Sequence, residues 1–232
     1  VYQGGRYGPE RIGLRKLTRD AAQAIIDEAH RLGLPVSAHT HYQDDVAALL
    51  DLGVDSIEHG VIELDLSGAQ TLRAWADTGT RLVPTLTIAA LFAGPDGALY
   101  IDTARRNLTR AYHAGVRIVA GTDSMVGAMP ANTLHDELRR MVEAGMTASD
   151  ALRAATADAA DLLGLPDRGV IAPGRRADLV LLGSNPLARI ENVADIDLVV
   201  RDGVVVHRAP APPLPPALGR YEVCGPSVLD YL

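Results

Sequence analysis

The sequence contains one cysteine, few aromatic residues and no long apolar run. Because Cys224 is the only cysteine among 232 residues, an intramolecular disulfide and a cysteine-based zinc site are both excluded. Phe, Trp and Tyr together make up 4% of the chain, so a core must be built from Ala, Val, Leu and Ile. No apolar run approaches the roughly 20 residues that a membrane-spanning helix needs.

Positive charge is also scarce. The formal net charge is -7 and the isoelectric point is near 5.4, with no cluster of Lys or Arg. These features argue against nucleic acid as a partner. A content of 47% apolar and 22% charged residues is typical of a globular protein. A cytoplasmic location is favoured, although the chain starts at Val1 without an initiator Met and an upstream signal peptide would not be visible.

Helix and strand patterns alternate over most of the chain. The helix patterns repeat apolar residues every three to four positions, and the strand patterns are short apolar runs between them. Thr147 and Asp150 form a capping box that is typical of a helix start. Helices are predicted at residues 18–33, 44–52, 69–77, 131–144 and 150–163 and before Gly115, and strands at 36–41, 55–59, 81–86 and 116–120.

After Leu165 the pattern changes. Short β runs at 169–174, 177–182 and 198–206 follow one another without a helix, and Asp202-Gly203 is a hairpin signal between apolar runs. We therefore predict three parts: a helix-and-strand domain at 1–165, an antiparallel β segment at 166–208, and a Pro-rich tail at 209–232.

The four strand–helix units of residues 34–165 are too few for a closed (β/α)8 barrel, which needs eight strands and about 250 residues. Either the sheet is open, as in doubly wound folds, or the chain is the second half of a larger barrel. A dinucleotide-binding doubly wound fold predicts a G-x-G-x-x-G turn, and the sequence has none. The favoured fold class is therefore α/β, the second half of a TIM-type barrel followed by strands of a small β-sandwich.

Potential metal ligands follow three of the predicted strands. His39 and His41 end the first strand, His59 ends the second, and Asp123 follows the fourth. Because barrel enzymes place their chemistry at the carboxyl ends of parallel strands, these residues indicate part of a hydrolytic metal site. Since side chains of a strand share a face every two residues, either His39 or His41 is a candidate ligand.

The segments that carry these residues resemble known motifs. Residues 36–41, 56–60 and 120–123 are similar to the fifth-, sixth- and eighth-strand motifs of the amidohydrolase superfamily, in the imidazolonepropionase-like and prolidase-like branch. Ala-Asp-Leu-Val at 177–180 resembles the strand that returns to that superfamily's β-sandwich. The resemblance covers approximately residues 16–207.

The resemblance implies roles for three residues. His39 and His59 would be metal ligands, and Asp123 would be both a ligand and the acid/base that moves a proton to the leaving amine. From their positions beside His39, His41 is predicted to contact the substrate unless it is itself a ligand or supports one, and Tyr42 is predicted to contact the substrate, the alternative being a surface loop residue. Two divalent ions, expected to be zinc, would be bound in the intact enzyme. The family's first-strand His-x-His pair and fourth-strand carboxylated Lys are absent, and residues 1–5 resemble the segment just after that Lys.

The sequence is therefore interpreted as part of a metal-dependent hydrolase acting on C–N bonds in an amide, cyclic amide or dipeptide-type substrate. The alternatives are an inactive remnant or assembly subunit that needs a partner chain, and a single-metal binding module. A homo-oligomer or a longer polypeptide is expected. His30, His113 and His135 are predicted to be structural, and Glu58 is predicted to face the helix layer.

Overall fold

Helices and strands alternate in the computed structural model, which describes residues 16–62, 65–91, 97–124 and 133–206, with side chains omitted at 97–99. The helices are α1 (Arg19–Arg31), α2 (Gln43–Leu52), α3 (Ala69–Thr78), α4 (Leu86–Leu91), α5 (Gly97–His113), α6 (Leu134–Glu143), α7 (Ala148–Ala155) and α8 (Ala157–Leu162). The strands are β1 (Ser37–His39), β2 (Ser56–Glu58), β3 (Arg81–Val83), β4 (Leu179–Leu182), β5 (Ile196–Arg201) and β6 (Val204–Val206).

The first three strands form a parallel sheet in the order β1-β2-β3. The predicted fourth strand at 116–120 is reduced to one parallel bridge between Leu82 and Ile118. Two backbone hydrogen bonds support that bridge: Leu82 N–H donates to the Arg117 carbonyl at 2.8 Å, and Val119 N–H donates to the Leu82 carbonyl at 2.9 Å. Parallel strands joined through helices define an α/β fold.

The two faces of this sheet have different surroundings. Ala38, Ile57 and Leu82 belong to the buried core that the helices complete. The opposite face carries Ser37 and Glu58, which border a cavity of about 290 Å³ whose other walls are mostly apolar. Parallel sheets are normally covered on both faces. The opposite face therefore has only partial cover within the described residues: α8 and Leu163 border the cavity and Ser56 is buried, but Ser37 is exposed.

The helix starts follow their sequence signals. Thr18 caps α1 by accepting a hydrogen bond from Ala21 N–H, and Thr147 caps α7 by accepting one from Asp150 N–H at 3.0 Å, as the capping box predicted. The single helix predicted at 150–163 is instead α7 and α8, because Thr156 between them has a non-helical backbone (φ -126°, ψ -87°). The six-residue α4 was not predicted.

The antiparallel sheet has the order β4-β5-β6. Asp202 and Gly203 connect β5 to β6 with φ values of 55° and 76°, as expected for the predicted hairpin turn. Residues 169–174, predicted as a β run, form turns and bends without a strand. The predicted tail at 209–232 and the segment 1–5 lie outside the described residues, and the three-part division of the chain remains a prediction.

No helix in the described part of the chain combines the length and the apolar character that crossing a membrane requires.

Candidate metal centre

Three histidines meet at one edge of the parallel sheet. His39, His41 and His59 each offer a ring nitrogen, and these nitrogens all lie within 4.8 Å of one another. Their ring centroids are 4.6 to 5.3 Å apart. His39 ends β1 and His59 follows β2, so the parallel pairing of these neighbouring strands brings the rings together. The structure thus brings together the predicted ligands His39 and His59 with His41, but not Asp123, and the ligand roles remain a prediction.

The position of His59 depends on an unusual backbone conformation. Its φ is 65°, in the left-handed region that residues other than glycine seldom adopt. His59 N–H donates to the carbonyl of Val83 at 2.9 Å, and its Nδ1 hydrogen bonds to Thr85 Oγ1 at 2.7 Å. The end of β3 therefore holds both the backbone and the ring of His59. Nε2 is left as the second ring nitrogen for a ligand.

Backbone strain is concentrated at this edge of the sheet. Among the described residues, four that are not glycine have positive φ, and three of them follow successive strand segments: His59, Thr85 (46°) and Asp123 (52°). The fourth, Asp202, belongs to the hairpin turn. Each such residue costs on the order of 1–3 kcal/mol and persists only where surrounding contacts hold it. Strain of this kind clusters at functional sites.

The buried carboxylate of Asp45 holds the loop that carries His41. Asp45 at the start of α2 accepts a hydrogen bond from Thr40 Oγ1 at 3.4 Å and pairs with Lys16 Nζ at 2.6 Å. The Lys16 ammonium lies 5.3 Å from the centroid of the Tyr42 ring. Tyr42 is the residue before α2 and directly follows His41. Lys16 therefore contacts both Asp45 and Tyr42, and these contacts hold Tyr42 at the start of α2.

Burial keeps the three imidazoles neutral. Removal from water, reinforced by repulsion from the neighbouring histidines, lowers the pKa of His41 and of His59 to about 3. Burial also lowers the pKa of His39. A neutral imidazole has the free lone pair that a metal ion needs, so these ligands would not compete with protons near neutral pH. Three neutral ring nitrogens suit zinc and similar divalent ions.

Asp123 lies outside this group of three nitrogens. The residue is exposed, yet partial desolvation of its carboxyl group raises its pKa. Its loop is held by hydroxyl contacts of Ser124, with Thr122 at 2.7 Å and Thr133 at 2.8 Å. Just before it, Gly121 passes close to β3, because a Cβ there would lie 2.5 Å from Val83 Cγ1. Only glycine allows this approach without a shift of Val83.

The prediction that Glu58 faces the helix layer is wrong. Glu58 shares the sheet face opposite the core with Ser37 and Ser56, and both serine hydroxyls donate to its Oε1, that of Ser56 at 2.9 Å. The prediction assumed that side chains alternate through His59, but the left-handed backbone of His59 ends that alternation. Burial raises the pKa of Glu58, the serine hydroxyls oppose this shift, and the charge of Asp123 adds to it.

Sequence reasoning therefore missed Glu58. The signal that could have found it is the two-residue spacing of Ser56 and Glu58 on β2, paired with Ser37 on β1. This spacing places the polar side chains of Ser37, Ser56 and Glu58 on one face of the sheet.

The other described histidines are not part of the cluster. His30 pairs with Asp55 at 2.8 Å, and His113 lies at the end of α5 with its ring centroid 5.4 Å from that of Tyr112. His135 on α6 is half-buried, and its Nδ1 has no hydrogen-bond partner within the described residues. The structural roles predicted for these three histidines remain predictions.

The fold and this site define a class of protein: α/β proteins that carry potential metal ligands at the carboxyl ends of parallel strands. The sequence model of the Amidohydrolase family matches residues 10–206. The chain therefore belongs to the amidohydrolase family, as the strand motifs predicted.

Named relatives place the chain more closely. It is 31% identical over 172 residues to an imidazolonepropionase from Deinococcus deserti, covering 72% of this chain and 39% of that protein. It is 29% identical over 182 residues to an ochratoxinase from Aspergillus niger, covering 73% of this chain and 36% of the relative. The crystal structure of a Xaa-Pro dipeptidase with methionine bound in its active site superposes with a TM-score of 0.74 at 30% identity, covering 83% of this chain and 50% of the dipeptidase.

The likeness to imidazolonepropionase and to a prolidase-type enzyme confirms the branch that the motifs indicated. The chain spans about half or less of the length of the curated relatives it matches.

Proposed function

We propose that this chain is the C-terminal part of a metal-dependent hydrolase that cleaves C–N bonds of amide-type substrates. The observation that carries the proposal is the cluster of three neutral histidines at the strand ends of an amidohydrolase-family chain. Family membership supports hydrolysis of C–N bonds, and the histidines supply the donor set that a divalent ion prefers.

The remainder of the barrel is proposed to come from the polypeptide that precedes these residues. Two observations support this: one face of the sheet has only partial cover within the described residues, and the chain matches about half or less of the length of its curated relatives. The preceding half would pack on the face that carries Ser37 and Glu58. It would also supply the first-strand His-x-His pair and the fourth-strand Lys that the family resemblance implies.

In this proposal His39 and His59 hold the metal ion, and Asp123 completes the site from the end of the 116–120 segment, which pairs with β3. A bound divalent ion, such as zinc, would supply Lewis acidity toward the substrate carbonyl and lower the pKa of water. The neutral state of the histidines keeps their lone pairs available. The hydrogen bond between His59 Nδ1 and Thr85 Oγ1 orients the His59 ring, as partners behind metal ligands commonly do.

Asp123 is proposed to move the proton. Its carboxylate would accept a proton from the attacking water and deliver it to the amine nitrogen that leaves when the C–N bond breaks. A carboxyl group whose pKa is raised by partial desolvation is better suited to carry a proton than a fully solvated one. His41 and Tyr42, on the loop between β1 and α2, would contact the substrate.

The substrate class is proposed from the relatives. An imidazolonepropionase and a Xaa-Pro dipeptidase are named for small molecules with an amide-type bond. We therefore expect a cyclic amide, a dipeptide with Pro or another C-terminal residue, or an N-acyl amino acid.

The test uses the full-length protein loaded with Zn²⁺. Release of the amine product is measured on Xaa-Pro dipeptides, N-acyl amino acids and a cyclic amide, before and after removal of metal by a chelator. We expect turnover that the chelator abolishes and Zn²⁺ restores. His59→Ala should remove this turnover, whereas His113→Gln, at an exposed helix end, should leave it unchanged.

Two results would contradict the proposal. Turnover that survives complete removal of metal would exclude the metal-dependent mechanism. A Zn²⁺-loaded protein that is inactive on all three substrate types would favour the inactive remnant or the binding module.

A further inference from the structure

The carboxylate of Glu137 is completely buried, and the proposed mechanism does not use it. Glu137 lies on α6 and has 0% of its surface exposed. Three donors converge on its two oxygens: Leu86 N–H at 2.8 Å on Oε1, and Thr87 N–H and Thr87 Oγ1, both at 2.7 Å, on Oε2. A buried carboxylate with this many partners holds the groups around it firmly.

The peptide that Glu137 holds directly follows a strained residue. Thr85 precedes Leu86, is 2% exposed, and has a φ of 46°. A positive φ is a true outlier for a β-branched residue such as threonine. Because the next two N–H groups are fixed by Glu137, the chain cannot relax Thr85 by rotating the peptides that follow it.

The strained residue contacts the candidate metal centre. Thr85 Oγ1 lies 2.7 Å from Nδ1 of His59. If His59 binds a metal through Nε2, its proton must be on Nδ1, and Thr85 Oγ1 must accept that hydrogen bond. The conformation of Thr85 therefore sets both the tautomer and the direction of the His59 ring.

We propose that Glu137 is a positioning residue for the metal site: it holds the β3–α4 turn so that Thr85 can orient His59. The inference rests on the function proposed above and adds a residue on α6, which follows the Asp123 loop in the chain. Glu137 thereby couples the helix after Asp123 to the ligand that follows β2.

The test measures Co²⁺ affinity of the full-length protein by competition with a chelator. Glu137→Gln keeps the shape of the side chain but turns an amide NH₂ toward either Leu86 N–H or the two Thr87 donors. The hydrogen bonds on that side of the former carboxylate are therefore lost. We expect a dissociation constant about 10-fold weaker, at the lower end of the range for partners behind metal ligands. In the metal-free protein, ¹⁵N NMR should show that His59 loses its preference for the Nδ1–H tautomer.

A double variant separates positioning from general loosening of the fold. If Glu137 acts through Thr85, Thr85→Val together with Glu137→Gln should bind Co²⁺ no more weakly than Thr85→Val alone. Thr80→Val is the matched control, because Thr80 is also a buried threonine with a side-chain hydrogen bond, to the Val54 carbonyl, but lies at the opposite end of β3. It should leave Co²⁺ affinity unchanged.

Three outcomes overturn the inference: wild-type affinity in Glu137→Gln, losses that multiply in the double variant, or an equal loss in Thr80→Val. If Glu137→Gln does not fold, Thr87→Val replaces it, since it removes one of the three donors. Unchanged Co²⁺ affinity in that variant also overturns the inference. A wild-type protein that binds no Co²⁺ contradicts the proposed function itself, whereas normal wild-type binding with an unaffected Glu137 variant contradicts only the positioning role.

Discussion

Acid should leave His41 and His59 neutral in the folded protein down to pH 5. The perturbation is a change from pH 7.5 to pH 5.0 in the metal-free full-length protein. An ordinary histidine with a pKa of about 6.5 is roughly 97% protonated at pH 5. His41 is 7% exposed, and its pKa is lowered to about 3, so about 1% of it should be protonated there.

The same shift changes stability in a known direction. In the unfolded chain His41 takes up a proton below pH 6.5, while in the folded protein it does not until about pH 3. Its stabilising contribution is therefore complete above pH 6.5 and is lost as the pH falls from 6.5 toward 3. Between pH 7.5 and 5.0 the loss is about 2 kcal/mol.

The assay compares wild type with His41→Gln. The difference in unfolding free energy between the two proteins should fall by about 2 kcal/mol from pH 7.5 to 5.0, because only the wild type loses the His41 contribution. Burial raises the pKa of Glu137 to about 7, so Glu137 stabilises the fold as the pH falls. Since Glu137 is present in both proteins, the difference cancels its effect.

A second readout is residue-specific. The ring signals of His41 and His59 in NMR spectra of the folded protein should not move between pH 7.5 and 5.0. A midpoint between pH 6 and 7 for either ring would refute the reasoning, because it would show that burial does not keep that imidazole neutral.

Three further predictions concern the proposed enzyme. Asp123→Asn in the full-length protein should lower kcat by about 10²–10⁴-fold, because Asn cannot accept the proton. Tm should change little, because Asn tolerates the left-handed backbone of residue 123. His135→Ala is the control, and near-normal kcat in Asp123→Asn would contradict the proposed role. The 232 residues expressed alone should self-associate through the open edges and the partly covered face of the parallel sheet, and a monodisperse monomer with cooperative melting in light scattering and calorimetry would argue against a half-barrel. Elemental analysis should find about two divalent ions in the full-length protein and at most one, weakly held, in the 232 residues alone, because the preceding half supplies the other ligands.

Local patterns predicted most of the architecture. The sequence patterns located α1, α2, α3 and α6, and the capping box at Thr147 marked a helix start that the structure confirms. Strand ends were less accurate, since β3 stops at Val83 and residues 116–120 form only a bridge. A strand is defined by its partner as well as by its own residues, and the neighbour of a strand cannot be recognised from that strand alone.

The errors on the site have a common physical cause. Glu58 was assigned to the wrong face because the strand alternation was extended through His59. A positive φ at glycine is expected from the residue type, but at histidine, threonine or aspartate it has no local signature. Such conformations depend on contacts from elsewhere in the fold.

Glu137 shows how distant those contacts are. Its hydrogen bond to Leu86 N–H joins residues 51 positions apart, and the strained Thr85 that it holds contacts a histidine 26 positions earlier. Motif order was therefore sufficient to bring the three histidines to one edge of the sheet, because parallel strands place their ends together. The orientation of each histidine ring cannot be predicted from motif order, because it depends on side chains that no sequence periodicity relates to the histidines. For this reason, we expect the proposed substitution of Glu137 on α6 to alter metal affinity without changing any of the proposed ligands.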